Sequence, residues 1–374
     1  MRFNFNRRRA NKSTINLTSG LRKIAVFMLF CLIVYAPIHH LGDDFMAHLV
    51  RSSVALSLPG TNIFGENLPD DFNYDDLISL GAEDDYDYYL HGAGGPPEYW
   101  SDDFEGEWRG ITTRQFTGEG ASNSWRNIHV SRRISLNFDI EQEFNTRPNI
   151  DVELNSTAPQ VLILHTHTTE SFAHGYNGKF PASYNFRSLD ESRNIVAIGA
   201  VIANILNENG INTVHSRALH DYPVFSGAYA RSEITAKYYL EKYPSIEIIL
   251  DIHRDSIGRS DGTRVRPLAN INGRNTAQIM LINGAQYGRT TTMPNYRENL
   301  RLGLRIQESM ESNFPGLSRP LMFNDLRYNQ HLVNGAILVE VGSEVNTFSE
   351  AVQAAEFFAR SLVPVLESLA ERPQ

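Results

Sequence analysis

The sequence predicts an α/β domain with a mostly parallel central sheet flanked by helices, and three observations carry that expectation. Short apolar runs of strand length, at residues 161–164, 246–252, 277–282 and 336–341, alternate with longer segments whose apolar residues recur at helical spacing. Alternating strands and helices build βαβ units, which make a sheet parallel. Three of the runs also stop abruptly at chemistry-bearing residues: VLIL at His165-Thr166-His167, EIILDI at His253-Arg254-Asp255, and AILV at Glu340. Ligands in such sheets are bound beyond the carboxyl ends of strands, so these three ends define the candidate site.

In chain order, residues 1–23 are basic and contain no acidic residue, and residues 24–38 (IAVFMLFCLIVYAPI) carry no charge. Extended to Leu41, this run (24–41) is read as an uncleaved transmembrane signal anchor, since no convincing small-x-small cleavage site follows it, with a cleaved signal peptide as the competing reading. The basic flank then stays in the cytoplasm, which places the protein in the cell membrane as a single-pass chain with its C-terminal domain outside. Residues 42–156 are expected to form a juxtamembrane segment and a flexible tether. Within them, 66–125 is rich in Asp, Glu, Gly and Tyr and has no sustained period, and 128–152 holds one or two strands leading into the domain.

The domain proper is expected over 157–371. Ser192 or Asn194 caps a helix in which Ile195, Ile198, Val201, Ile202 and Ile205 share a face, stopped by Gly210. A short strand follows at 212–215 and a second helix at 226–243, broken by Pro244. Residues 296–310 form the next helix and 347–369 the last, which Pro364 is expected to kink or divide.

Composition narrows the chemistry. A net charge of −9 and a pI of about 5.8 argue against nucleic acid as a partner. The single cysteine, Cys31, lies in the apolar run, so the exported part has no disulfide, thiolate metal site or Cys nucleophile. Any metal there is held by His and carboxylate, a donor set that suits zinc. His167 and Glu170 form an H-x-x-E pair at the first strand end, with His165 as the alternative ligand. His253 ends the second strand, and alternation puts Asp251 on its side of the sheet. Glu340 is an acid inside an apolar strand, expensive to bury unless paired or used. It is the candidate general base, with Glu344 as its rival. Three ligands leave one coordination position open, which is the catalytic arrangement.

Arg254 and Asp255 are expected exposed at the sheet edge, able to orient an imidazole or grip a substrate carboxylate. Arg187, Arg193, Arg264 and Arg266 are further candidates for carboxylates, and Asn283 and Asn346 for amides. Residues 256–276 read as a long glycine-containing loop of the kind that serves as a lid or binding loop.

Together, HTHTTES (165–171), DIHRDS (251–256) and LVEVGSEVNTFSEA (338–351), behind an anchor and a tether, resemble the stage II sporulation protein P family. The resemblance covers about residues 157–371. It implies the zinc amidase (phosphorylase/hydrolase-like) fold and a membrane-anchored N-acetylmuramoyl-L-alanine amidase acting on peptidoglycan. The expected cut lies between the muramic acid lactyl group and L-alanine of the stem peptide. It further implies Zn2+ held by His167 (or His165), Glu170 and His253, with Glu340 as base. The setting implied is septum thinning and engulfment at the sporulation septum, with stage II sporulation proteins D and M as partners. The acidic tether is not part of the family pattern. Two rivals stand beside this reading: a zinc endo- or carboxypeptidase acting on stem peptides, and a catalytically idle wall-binding scaffold.

Overall fold

The structure, a computed structural model, describes residues 104–285 and 293–370. The expected basic tail, the anchor at 24–41 and most of the tether lie outside the described residues. No helix among the described residues is long and apolar enough to cross a membrane.

The strands are β1 (Trp108–Arg114), β2 (Asn123–Trp125), β3 (Ile128–Arg132), β4 (Val161–Leu164), β5 (Lys179–Pro181), β6 (Thr213–His215), β7 (Ile248–Asp255), β8 (Arg264–Ile271), β9 (Arg274–Ala277), β10 (Ile279–Gly284), β11 (Leu321–Asn324) and β12 (Gly335–Ser343). The helices are α1 (Ile140–Asn145), α2 (Ile195–Glu208), α3 (Ala228–Lys242), α4 (Tyr296–Asn313) and α5 (Phe348–Ala370). Eight strands form the main sheet in the order β2-β3-β11-β10-β12-β7-β4-β6. Five of its seven pairings are parallel; β10 against β12 and β2 against β3 are antiparallel. The α/β class is therefore as expected, and the sheet is mostly but not wholly parallel.

Strand alternation sorts the core into two layers. Ile248, Leu250 and Ile252 of β7, with Val339 and Val341 of β12, pack with the apolar faces of α2, α4 and α5. Leu162, Leu164 and Ile249 face the other way, against Ala236 and Tyr239 of α3. Each fully buried Leu or Ile contributes about 1.5–3 kcal/mol, so the alternation in β7 also fixes that Asp251 and His253 lie on the α3 side. In α2, Asn194 caps the helix by accepting from Val196 N at 2.9 Å, and Gly210 ends it with φ +75°.

Several expectations need correction. The expected domain start at 157 is too late, because β1, β2 and β3 already pair with the two sheets. The loop expected at 256–276 is largely the β8–β9 hairpin, which lies with β1 and β5 in a second sheet of four strands. Pro364 does not divide α5, which continues to Ala370. Pro364 and Arg360, whose carbonyl loses its partner, both face solvent, while Leu362, Val363, Val365 and Leu366 anchor the helix on either side.

Candidate functional site

Beyond β4 the chain turns through four residues that side chains hold in place. Thr166 donates from N and Oγ1 to the two oxygens of Asp251, at 2.8 and 2.7 Å. Thr169 does the same to Asp221, at 3.1 and 2.8 Å. His165 and His167 leave this turn in different directions. His165 is buried beneath α2, where Nδ1 donates to the Ile252 carbonyl at 3.0 Å and Nε2 lies 2.8 Å from His215 Nε2. The helix comes this close because residue 199 is glycine: a Cβ there would sit 2.7 Å from both rings. Burial draws the His165 pKa down to about 4. With both nitrogens engaged it holds the end of β4 in place and has no lone pair free for an ion.

His167 sits in a cluster of rings instead. Phe225 stacks on it at 4.5 Å and 11°, and Tyr229 and His253 meet it edge-on at 5.7 and 5.3 Å. Its Nδ1 is buried and has no hydrogen-bond partner. His253 places Nδ1 3.5 Å from Glu170 Oε2. Its Nε2 is 2.9 Å from Asp251 Oδ1 but not aligned with it, so that nitrogen too lacks a hydrogen bond. Burial opposes a charge on His253, yet Asp251 and Glu170 raise its pKa well above the ordinary value. For Glu170 burial pushes upward, but Arg254 and His253 outweigh it and bring the carboxyl to about 2.

Glu340 pairs in register with His253 on the neighbouring strand, which brings the third strand end to the same place. Its Oε2 is buried without a partner. Burial, followed by the nearby Asp255 carboxylate, pushes its pKa up to about 8 against His253 and Arg319. Two residues on, Gly342 takes φ +65° at a register shift between Glu340 and Ser343. Such bulges re-aim strand ends beside sites. Past the bulge, Glu344 accepts from Ser256 Oγ at 2.9 Å and lies 3.0 Å from Arg264 Nε, both at Oε1, while its Oε2 is buried without a partner.

His167 Nδ1 and Glu340 Oε2 are thus buried, unpartnered atoms of one cluster, with His253 between the Asp251 and Glu170 carboxylates. Two imidazoles and carboxylates are the donors of a hydrolytic zinc site, and this set fits zinc by its chemistry. Among the described residues, no three or more His, Cys, Asp or Glu side chains are gathered closely enough to hold an ion as they stand.

With this geometry in view, residues 119–363 match the family described as stage II sporulation protein P. The chain belongs to this family. It is similar to stage II sporulation protein P of Bacillus subtilis (strain 168), with 27% identity over 206 residues, 52% of this chain and 48% of that protein. The chain therefore spans about half the length of that relative. Similar solved structures include the N-acetylmuramoyl-L-alanine amidase AmiC2 of Nostoc punctiforme, at 16% identity, with 57% of this chain and 99% of that one covered and a TM-score of 0.34. The CwlD amidase of Clostridioides difficile, solved in complex with the GerS lipoprotein, gives 10% identity, 56% and 98% coverage and a TM-score of 0.36. Scores this low say nothing about the chemistry of this chain.

For a stage II sporulation protein P family member the three motif ends meet, but the basic residues beside them are placed differently from expectation. β7 continues through Asp255, so Arg254 lies inside the sheet and only 7% exposed. Its guanidinium donates to the Ser171 and Phe186 carbonyls, at 3.1 and 2.7 Å, and its backbone N donates to Glu170. It is not available to substrate. Asp255 accepts from Arg319 at 2.8 Å beside Glu340. Arg266 is paired with Glu350, Asn346 is bonded to Ser343 N and the Pro267 carbonyl, and Asn283 is buried against Gly303. Arg187 alone of the three edge residues keeps more than a quarter of its side chain exposed; it pairs with Asp221 and lies 4.8 Å over the Phe225 ring.

Sequence reasoning missed the residues contributed by the segment before α3 and by its first turn. His220 donates from Nδ1 to the His165 carbonyl at 2.7 Å, and Asp221 braces Thr169. Phe225 and Tyr229 form the aromatic wall of the site. Burial, Asp251 and Glu340 all push the Tyr229 phenol upward, keeping it protonated. No spacing in the sequence ties these residues to the strand ends; only the packing of α3 does.

Proposed function

We propose that this chain is a zinc-dependent peptidoglycan hydrolase that cleaves the amide between N-acetylmuramic acid and L-alanine of the stem peptide. The observation that carries the reading is the cluster at β4, β7 and β12 in which His167 Nδ1 and Glu340 Oε2 are buried without partners beside His253 and Glu170. Groups left buried without partners cost stability, and they are retained where a ligand completes them.

His167, Glu170 and His253 would hold the ion. Zinc bound there supplies Lewis-acid polarisation of the amide carbonyl and lowers the pKa of the attacking water. Glu340 removes a proton from that water as its oxygen adds to the carbonyl carbon. It then returns the proton to the amide nitrogen, the C–N bond breaks, and a carboxylate and the amine of L-alanine are released. Glu340 is placed for both transfers, buried with Oε2 unpartnered and in register with His253. Asp255, paired with Arg319, sets the charge beside Glu340. Arg187 offers its exposed edge to a stem-peptide carboxylate.

The family supports a place for this reaction in sporulation, thinning the septum and promoting engulfment. The anchor at 24–41 would hold the domain on the outer side of the membrane, with stage II sporulation proteins D and M as partners. The test is a defined disaccharide-tetrapeptide incubated with zinc-loaded protein and read by mass spectrometry. Free disaccharide and intact tetrapeptide beginning at L-alanine are expected. Cuts inside the peptide would make the protein a peptidase, and no cut at all would leave it a wall-binding scaffold.

A further inference from the structure

Tyr229 stands in the first turn of α3 and touches both imidazoles of the cluster. Its ring lies nearly parallel to His253 at 6.5 Å and 15°, edge-on to His167 at 5.7 Å, and against Tyr328 at 5.9 Å. The side chain is half-buried, and its hydroxyl has no hydrogen-bond partner among the described residues. Two strong donors of the site are already used, Arg254 on two carbonyls and Arg319 on Asp255, and Arg187, paired with Asp221, is assigned above to a stem-peptide carboxylate. Two phenol O–H groups remain, Tyr229 and Tyr328, whose oxygen accepts from Asn324 Nδ2; of the two, Tyr229 has its ring beside both imidazoles.

The backbone beneath that phenol is held with unusual care. Asn329 Nδ2 donates to the Tyr229 carbonyl at 2.8 Å and to Ser232 Oγ at 3.1 Å. Ser232 Oγ lies 2.7 Å from Thr166 Oγ1, which donates to Asp251, the neighbour of His253. A continuous chain of contacts thus ties the turn carrying Tyr229 to the strand carrying His253. To make the first bond, Tyr328 and Asn329 both adopt left-handed backbone, φ +48° and +56°. Non-glycine residues there cost roughly 1–2 kcal/mol each and persist where the surroundings over-determine them, often at functional sites.

We propose that the Tyr229 hydroxyl is the hydrogen-bond donor to the carbonyl oxygen of the scissile amide as negative charge develops on it. The assignment rests on the amide-hydrolase reading above. A neutral phenol at working pH donates without exchanging its proton. Because its partner gains charge only as water adds, the bond strengthens in the transition state and speeds the reaction without tightening substrate binding.

The experiment compares wild type with Tyr229→Phe, which keeps the ring and all its ring contacts. Both are zinc-loaded and assayed on the defined disaccharide-tetrapeptide for kcat and KM. Zinc content, thermal midpoint and affinity for a phosphinic-acid isostere of muramoyl-L-alanine are measured alongside. The expected result is a kcat loss of about 10²–10³-fold, a similar loss of isostere affinity, and unchanged KM, zinc content and midpoint. Wild-type kcat and isostere affinity in the variant would overturn the donor role while leaving the hydrolase reading intact. Loss of zinc or a lowered midpoint would overturn it too, by making the hydroxyl structural. If wild type itself releases nothing, the hydrolase reading falls first and this assignment with it. Asn329→Gly supplies an independent check, since glycine accepts the backbone and the bonds to the Tyr229 carbonyl and to Ser232 Oγ are lost together. A kcat reduction of roughly tenfold at unchanged KM is expected, and an unchanged kcat counts against the proposal.

Discussion

Gly199→Ala tests how the end of β4 is held, and the structure decides its sign. On helix propensity alone the change gains about 1 kcal/mol, because alanine replaces glycine inside α2. Against this, the new Cβ would sit 2.7 Å from His165 Cε1 and Nε2 and from His215 Nε2. Carbon contacts are comfortable near 3.5 Å or more, so the rings must retreat by roughly 1 Å. His165 has no exposed surface and bonds the Ile252 carbonyl at 3.0 Å, so retreat breaks that bond or pushes α2 off the sheet. Overpacking of this kind costs about 1–3 kcal/mol and a lost hydrogen bond about 0.5–1.5 more. The net expectation is a loss of roughly 1–3 kcal/mol, read as a lower urea midpoint at unchanged slope. In a His215→Ala background one of the two clashing rings is gone, and the penalty should shrink by about 1 kcal/mol or more. A variant stabilised by the propensity gain alone would refute the wedge role given to His165.

Three further outcomes follow from the same geometry. Glu340→Gln should lower hydrolysis by about 10²–10⁴-fold while zinc content and thermal midpoint stay at wild-type values; wild-type turnover would remove Glu340 from the role of base. Arg254→Ala removes a buried cation from Glu170, which keeps His253 and Arg187, and the guanidinium bonds to the Ser171 and Phe186 carbonyls, and urea unfolding should show a loss of about 2–3 kcal/mol. A stable variant with only a raised KM would return Arg254 to the substrate. His215 and His220 should also cost stability in mild acid. Burial holds both below the ordinary 6.5, so below that value the unfolded state binds more protons than the folded one at these sites. His253 and Glu340, both raised, act in the opposite sense over the same range, so the test isolates one imidazole. In His220→Gln the urea midpoint at about pH 5.5 should rise relative to that at about pH 7.5, compared with the parent protein, and an unchanged difference would contradict this.

The parts of the molecule legible in the sequence are those where one local rule dominates. VLIL, EIILDI and AILV are too apolar for anything but buried strands, and their sudden polar ends marked where the site lies. Asn194 and Gly210 bounded α2 because a cap and a left-handed stop are local events. The β8–β9 hairpin had a signal too, in Asn272-Gly273. Both residues take positive φ, and Ile271 pairs with Arg274 across the two-residue turn. β1 offered none, since WRGITTR buries only Ile111 at the edge of an acidic stretch and is a strand only because β8 and β5 flank it. Side-chain roles were hardest where tertiary packing assigns them. Nothing local distinguishes His165, which meets a helix glycine, from His167, which meets Phe225 and Tyr229. Arg254 looked exposed only while β7 was taken to end before it.

The central claim is that the ends of β4, β7 and β12 hold a zinc ion beside Glu340. Its most direct test is anomalous diffraction at the zinc edge from crystals of the zinc-loaded protein. The account predicts one strong peak ligated by His167, Glu170 and His253, with the remaining position facing Glu340 and His165 still turned toward His215. A peak at other residues, or stoichiometric zinc with none in this cluster, would contradict it.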